Sequence, residues 1–250
     1  MRKFFTILAV LSLMVSPIQA QNNFLQGDVN GDGDIDISDV VTLVNLILNG
    51  GSYLYCPDNH HPHLIDLGLP SGTKWACCNV GASSPEEYGG YYAWGETIEK
   101  QMYDSSTYIH YDSSSGTFHD IGSDISGTQY DVAHVKWGGG WRMPTITQTL
   151  ELVYNTTSEW TSENGVEGIK FTGNNGGTIF LPAAGCTWFS DLYYAGSGGR
   201  YWSSALDEYH EDLAYYLYFN LYFNDGTTTL PTPHGDKGYR RYGLSVRPVR

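Results

Sequence analysis

The stretch "GIKFTGNNGGTIFLPAA", residues 168–184, sets two runs rich in β-branched and aromatic side chains on either side of Gly173-Asn-Asn-Gly-Gly177. Such side chains suit a pleated, half-buried surface. A Gly/Asn cluster between them supplies the positive φ that a tight turn requires. The stretch predicts a β-hairpin, and the same grammar extends over His63 to Arg250. "HLIDLGL" and "TKWACCN" read as strands separated by Pro70-Ser-Gly72. "LAYYLYFN" alternates Leu213, Tyr215, Leu217 and Phe219 against Ala214, Tyr216, Tyr218 and Asn220, the period of a strand. The β-like run "YGLSVRPVR" ends the domain.

Two helices fit between these strands. One covers about Gln129 to Lys136. The other follows "RMPT", where Thr145 as N-cap and Gln148 three residues on make a capping box, with Leu150, Leu152 and Val153 to bury. Few helices on antiparallel sheet is an α+β arrangement. Trp75, Trp94, Trp137, Trp141 and Trp202 each adjoin glycine or a small residue, a pattern that lets backbone segments close around large rings. Arg142 and Arg247 lie beside apolar residues, and a partly buried arginine can tie several loop carbonyls or a carboxylate with its five donors.

The N-terminal end reads differently. Residues 1–20 carry a basic start (Arg2, Lys3), an apolar run from Phe4 to Val15 and a small residue before Gln21, which predicts a secretory signal peptide and an exported or cell-surface protein. The apolar run is short for a bilayer core of ~30 Å, so no transmembrane segment is expected. Without those two bases the mature chain holds 11 basic against 27 acidic side chains, a net charge of about −16. That balance excludes a nucleic-acid partner, whose phosphates require Lys and Arg.

Five of the acids crowd into "GDVNGDGDIDISD", residues 27–39. Asp28, Asn30 and Asp32 take the first, third and fifth places of a calcium loop. Gly33 makes the turn, Asp34 offers its carbonyl, Asp36 holds the ninth place and Asp39 the twelfth. Hard oxygen donors at alternating positions predict Ca2+ as cofactor. Ser38 to Asn49 then carries seven apolar side chains over more than one helical face, and Gly50-Gly51 ends the helix. Residues 51–62, "GSYLYCPDNHHP", read as a linker, with His60, His61 and His63 as solvated side chains.

A calcium loop with only its exiting helix, and Asp at the twelfth place, resembles a type I dockerin repeat over residues 21–50. Dockerins attach secreted, often polysaccharide-degrading, proteins to cohesin sockets. The resemblance places partner-reading side chains at Ile37, Ser38, Val44 and Asn45. Dockerins carry two packed repeats and this chain carries one. Its helix must therefore cover itself on a cohesin-like partner, on a second copy, or on the chain's own main domain, and Val40, Val44 and Ile47 are expected to face that surface.

Across 63–250, "HLIDLGLPSGTKWACCNVGASSPEEYGGYYAWGET", "WGGGWRMPT", "NGVEGIKFTGNNGGTIFLPAAG", "YWSSAL" and "YGLSVRPVR" together resemble the major paralogous (FISUMP) domain first described in Fibrobacter and abundant in gut Bacteroidetes. The resemblance implies a C-type-lectin-like fold of small antiparallel sheets and two helices, the fold that also contains the formylglycine-generating enzymes. The reactive cysteine pair of that branch is missing, since no cysteine follows Cys186. Cys56, Cys77, Cys78 and Cys186 allow three pairings, and the adjacent Cys77 and Cys78 point to opposite faces of a strand. The E-P-N and Q-P-D triplets of calcium-dependent lectins are also missing.

The acids Glu86, Glu87, Glu96, Asp207, Glu208, Glu211 and Asp212 fall in loops at no diagnostic spacing and read as solvated surface, so catalysis is not expected. Twenty tyrosines, in runs such as "YYAW", "DLYY" and "YYLYF", offer flat amphipathic faces for sugar rings, or fill and edge the sheet. The expected function is a non-catalytic binding protein of polysaccharide utilisation with a calcium-stabilised attachment module. The alternatives are a dockerin-tethered glycoside hydrolase and a structural component of a surface assembly.

Overall fold

A computed structural model of the chain describes residues 63–138, 140–224, 227–229 and 233–250, together with Ile37, Val40, Val41, Leu43 and Val44. The calcium-loop residues Asp28, Asn30, Asp32, Asp34, Asp36 and Asp39 lie outside the described residues, as do Ser38, Asn45 and Ile47.

The fold is mixed α+β and mostly sheet. In chain order it runs β1 (Leu64–Asp66), β2 (Lys74–Ala76), β3 (Tyr111–Asp112), β4 (Thr117–Phe118), α1 (Val132–Trp137) and α2 (Ile146–Asn155). There follow β5 (Thr156–Glu163), β6 (Val166–Gly173), β7 (Thr178–Pro182), β8 (Cys186–Trp188), β9 (Asp191–Tyr193), β10 (Gly198–Leu206), β11 (Leu213–Asn220), β12 (Tyr222–Asn224), β13 (Thr227–Thr229) and β14 (His234–Tyr239). Two three-stranded sheets, β5-β6-β7 and β10-β11-β14, carry most of the pairing, and every strand pair is antiparallel.

The hairpin read at residues 168–184 is present. β6 and β7 pair Phe171 with Ile179 and Ile169 with Leu181, and Gly176 takes φ 85° in the turn. The sequence reading did not include β5, "TTSEWTSE", which adds itself to the outer edge of β6. β11 forms over the predicted residues in the middle of its sheet, and both of its faces are covered. Leu217 and Phe219 enter a core with Leu67, Trp75, Phe171 and Leu181. Ala214 and Tyr216 enter a second core with Trp94, Trp137, Trp141 and Trp202. All five singled-out tryptophans are buried. Burying a side chain of this size contributes on the order of 2–3 kcal/mol.

α1 is shorter than expected because Asp131 caps it. Asp131 is fully buried. Its Oδ1 accepts from Ala133 N and His134 N at 2.8 and 3.1 Å, and its Oδ2 from Gly127 N and Met143 N, both at 2.8 Å. One carboxylate thus caps a helix and fixes two loops. The predicted capping box of α2 forms, with Gln148 N donating to Thr145 Oγ1 at 3.2 Å and Thr145 N to Gln148 Oε1 at 3.0 Å. Leu152 is buried, while Leu150 and Val153 are half-buried.

The last run makes no regular strand. Leu244 bridges to Tyr92, Ser245 to Tyr201, and Val249 to both Trp75 and Arg142. Each partner comes from a different segment, so no ladder grows. At the centre of this weave Arg247 is completely buried. Its guanidinium donates to Asn79 Oδ1 (2.8 Å), Ala76 O (3.1 Å), Cys77 O (2.6 Å) and Phe180 O (2.9 Å). Arg142, half-buried, donates to Gln148 Oε1 at 3.2 Å and so supports the capping box.

Candidate functional site

Among the described residues, an exposed aromatic assembly is built on the β8–β9 hairpin. Its strands pair Cys186 with Tyr193, Thr187 with Leu192 and Trp188 with Asp191, leaving Phe189-Ser190 as a two-residue loop. Such loops favour a residue with positive φ at the first position, and glycine adopts that conformation without strain. This chain has Phe189 there, at φ 53°. Just past β9, Tyr194 also takes a left-handed backbone, φ 61°. Bulky side chains in this region are strained, and such strain persists only where the surroundings over-determine it.

The surroundings do so here. Phe189 N donates to Tyr103 O (3.1 Å) and Tyr103 N to Phe189 O (2.9 Å). Thr187 N donates to Gly243 O (2.7 Å) and Gly243 N to Thr187 O (2.9 Å). The carbonyl of Tyr194 accepts from Ser197 N and Gly198 N at 3.0 and 2.9 Å. Two glycines make these approaches possible. A Cβ on Gly243 would meet the Tyr103 ring at 2.6 Å, and one on Gly185, at φ 68°, would run into the carbonyl of Tyr193.

The held rings form a continuous track. Trp188 lies 5.9 Å from Phe189 in a stacked pair, and 5.6 Å from both Tyr193 and Tyr242. Tyr193 continues to Tyr194 at 6.4 Å, and Tyr242 to Tyr239 at 5.4 Å. Trp188, Phe189 and Tyr194 remain 42, 48 and 52% exposed, and Leu192 and Tyr239 are also exposed. A guanidinium closes each end. Arg241 sits 4.0 Å from the Tyr239 ring, and Arg200 sits 4.6 Å from Tyr194 and 5.0 Å from Tyr218. Burial raises the Tyr242 pKa, so its phenol stays neutral and able to donate. Flat apolar faces with hydroxyl and guanidinium edges can stack on rings that carry hydrogen-bonding groups.

Beneath the hairpin, Cys186 is buried with its Sγ 3.5 Å from Arg200 Nη1. Burial raises this thiol's pKa, against the pull of Arg200. No disulfide joins any two of Cys77, Cys78 and Cys186, and Cys56 lies outside the described residues.

Two of the acids expected in solvated loops are in fact buried. Glu96 accepts from Ile109 N at 2.9 Å and pairs with Lys100, whose Nζ lies 2.7 Å from Oε2. It lines a cavity of about 550 Å³ with His110 and Tyr130, but its oxygens are already engaged. Asp207 accepts from Tyr209 N at 3.0 Å, holds His210 Nδ1 at 2.8 Å and forms an ion pair with Lys237 at 2.5 Å. Internal donors replace water around both carboxylates, which is why loop residues could be buried. The two networks share no partner. Glu87 accepts from Ser83 N and Glu86 from Asn164 Nδ2, while Glu208 and Glu211 are exposed and Asp212 half-buried.

Among the described residues, no group of three or more His, Cys, Asp or Glu side chains could hold a metal ion, and no helix is long and apolar enough to cross a membrane. Of the expected partner-facing residues, Ile37, Val40 and Val44 are helical and exposed, as are their neighbours Val41 and Leu43. Sequence reasoning noted "DLYY" but missed Trp188, Phe189, Tyr239 and Tyr242. The available signal was a strand pair whose two-residue loop lacks glycine and holds an aromatic ring. No family model matches the chain, and no curated protein or solved structure matches it either.

Proposed function

We propose that this is an exported, non-catalytic glycan-binding protein of polysaccharide utilisation, which takes its ligand on the ring track around Trp188. The track is the observation that carries the reading. Trp188, Phe189, Tyr194 and Tyr239 are exposed, the rings adjoin one another without a break, and two of them keep strained backbones. Filling a core explains buried rings, but it does not explain strain at exposed ones. On this reading residues 63–250 form a C-type-lectin-like domain of the FISUMP kind.

Residues 21–50 serve as the attachment module. Ca2+ held by Asp28, Asn30, Asp32, Asp34, Asp36 and Asp39 fixes the first turn of an apolar helix. That helix docks through Ile37, Ser38, Val40, Val44, Asn45 and Ile47 on a cohesin-like protein or a second copy. The exposure of Ile37, Val40, Val41, Leu43 and Val44 supports this part.

The test is a polysaccharide panel probed with the full chain and with Trp188→Ala. Binding without product release, lost in the variant, supports the proposal. Release of shorter sugars assigns the chain to the hydrolase alternative. Binding of no glycan, with capture of a protein through the same rings, overturns the glycan reading.

A further inference from the structure

We infer that the ligand of the ring track is an anionic glycan, carrying carboxylate or sulfate groups along its chain. The inference rests on the glycan-binding reading above. It comes from how the chain spends its few cations. The sequence holds 13 Lys and Arg against 27 Asp and Glu, so two guanidinium groups set on one run of exposed rings are a placement to be explained. Lys100 is paired with Glu96, and Lys237 with Asp207. Arg247 is buried on carbonyls, and Arg240 is buried against Tyr108 Oη and Glu211 O.

Lys74, Lys136, Arg142 and Lys170 also have no carboxylate of the described residues within 4.0 Å, and what sets Arg200 and Arg241 apart is their place on the exposed rings of the track. Both are half-buried, both lie over tyrosine rings at opposite ends of the track, and neither has a carboxylate of the described residues within 4.0 Å. The nearby acids do not neutralise them. Asp191 faces the Tyr193 hydroxyl at 3.5 Å. Asp212 shares a hollow of about 290 Å³ with Arg241 but stays outside ion-pair distance.

A guanidinium is a planar fork that matches the oxygens of a carboxylate or a sulfate two at a time. Stacking on a ring fixes the plane of that fork, and Arg200, which spends donors on Cys186 Sγ at 3.5 Å and on Tyr216, keeps others of its five. A neutral sugar chain needs rings and hydroxyl partners but no unpaired positive charge. A strongly acidic protein also repels a polyanion at long range. Local unpaired guanidinium groups are what such a ligand requires in order to bind there at all. Two of them on one run of rings fit charges repeated along a chain.

The test uses matched pairs on an array probed with the full protein. Polygalacturonate and alginate are printed beside their carboxyl-reduced forms, and carrageenan and chondroitin sulfate beside their desulfated forms. The tightest pair is then measured by isothermal titration. At least one charged member should bind ten-fold or more tightly than its uncharged twin. The carboxylate and sulfate arms show which anion is read. Arg241→Gln should collapse that ratio to below about three-fold, and Arg200→Gln should do the same, with thermal melts confirming that both variants fold. Equal binding within every pair overturns the inference and leaves the glycan reading standing. Binding of no member of any pair overturns both.

Discussion

The indole of Trp188, at the end of β8, packs 5.6 Å from the ring of Tyr242, in the turn that follows β14. The contact joins a hairpin to a distant turn, and the reciprocal bonds between Thr187 and Gly243 hold that junction. Trp188 is the hub of the track, in contact with Phe189, Tyr193 and Tyr242. Trp188→Ala should therefore weaken glycan binding at least ten-fold, the ~1.4 kcal/mol that one good stacking contact supplies. Because the ring is 42% exposed, the melting temperature should fall by no more than about 4 °C. Titration and calorimetry of the same preparation check both numbers.

Strain at Tyr194 makes a comparison of two truncations informative. Tyr194→Ala and Tyr194→Gly both remove the ring that meets Arg200. At an ordinary position the glycine variant is the less stable, by about 0.5–1 kcal/mol. With φ at 61° the order should reverse, because alanine keeps a left-handed cost of about 1–2 kcal/mol that glycine avoids. Denaturant unfolding that finds the alanine variant the more stable removes strain from the account of the site.

Arg247 is expected to govern stability. Arg247→Met leaves Asn79 Oδ1 and the carbonyls of Ala76, Cys77 and Phe180 buried without their donor. Each such loss costs about 1–3 kcal/mol, so for the four a total of at least about 4 kcal/mol is expected, a drop of roughly 8–16 °C in Tm. Arg247→Lys should recover only part of it, since one ammonium cannot reproduce the planar fork. Thermal melts of the three proteins provide the measurement.

The Asp207 pair should leave a signature in acid. Burial alone raises this carboxyl's pKa, but Lys237, His210 and Tyr209 N–H outweigh it and hold the pKa well below the usual carboxylate range. A depressed folded pKa contributes stability that is present above the unfolded value of about 3.9 and is lost as pH falls toward the folded value. The stability gap between the native protein and Asp207→Asn should thus be constant from about pH 5 upward and close below about pH 4. A gap independent of pH between 2 and 6 rules out this linkage.

For the attachment module, Asp28→Ala and Asp39→Ala should each weaken Ca2+ binding more than Asp36→Ala, because a ninth-position side chain often acts through water. Isothermal titration with calcium chloride measures the order. Val44→Asp should abolish a calcium-dependent complex in sedimentation while sparing calcium affinity. A monomer with and without calcium that binds no cohesin, its helix protected from hydrogen exchange, would instead make the repeat an intramolecular clasp.

The sequence by itself determined the features that depend on neighbours along the chain. The Gly/Asn turn specified the β6–β7 hairpin, Thr145 and Gln148 specified the start of α2, and alternation specified β11. Each rests on a backbone dihedral, a cap or a period of two, and these act over a few residues. Tertiary structure alone decided the rest. β5 is polar enough to read as loop, and it becomes a strand because β6 offers it an open edge. Glu96 and Asp207 are buried because donors from elsewhere in the chain replace water. The ring track exists because Tyr103 and Gly243, remote in sequence, clamp a hairpin whose local preference opposes the conformation it holds. Local rules could flag Phe189 as out of place, but only long-range hydrogen bonds can sustain its strain, and their partners cannot be read from spacing.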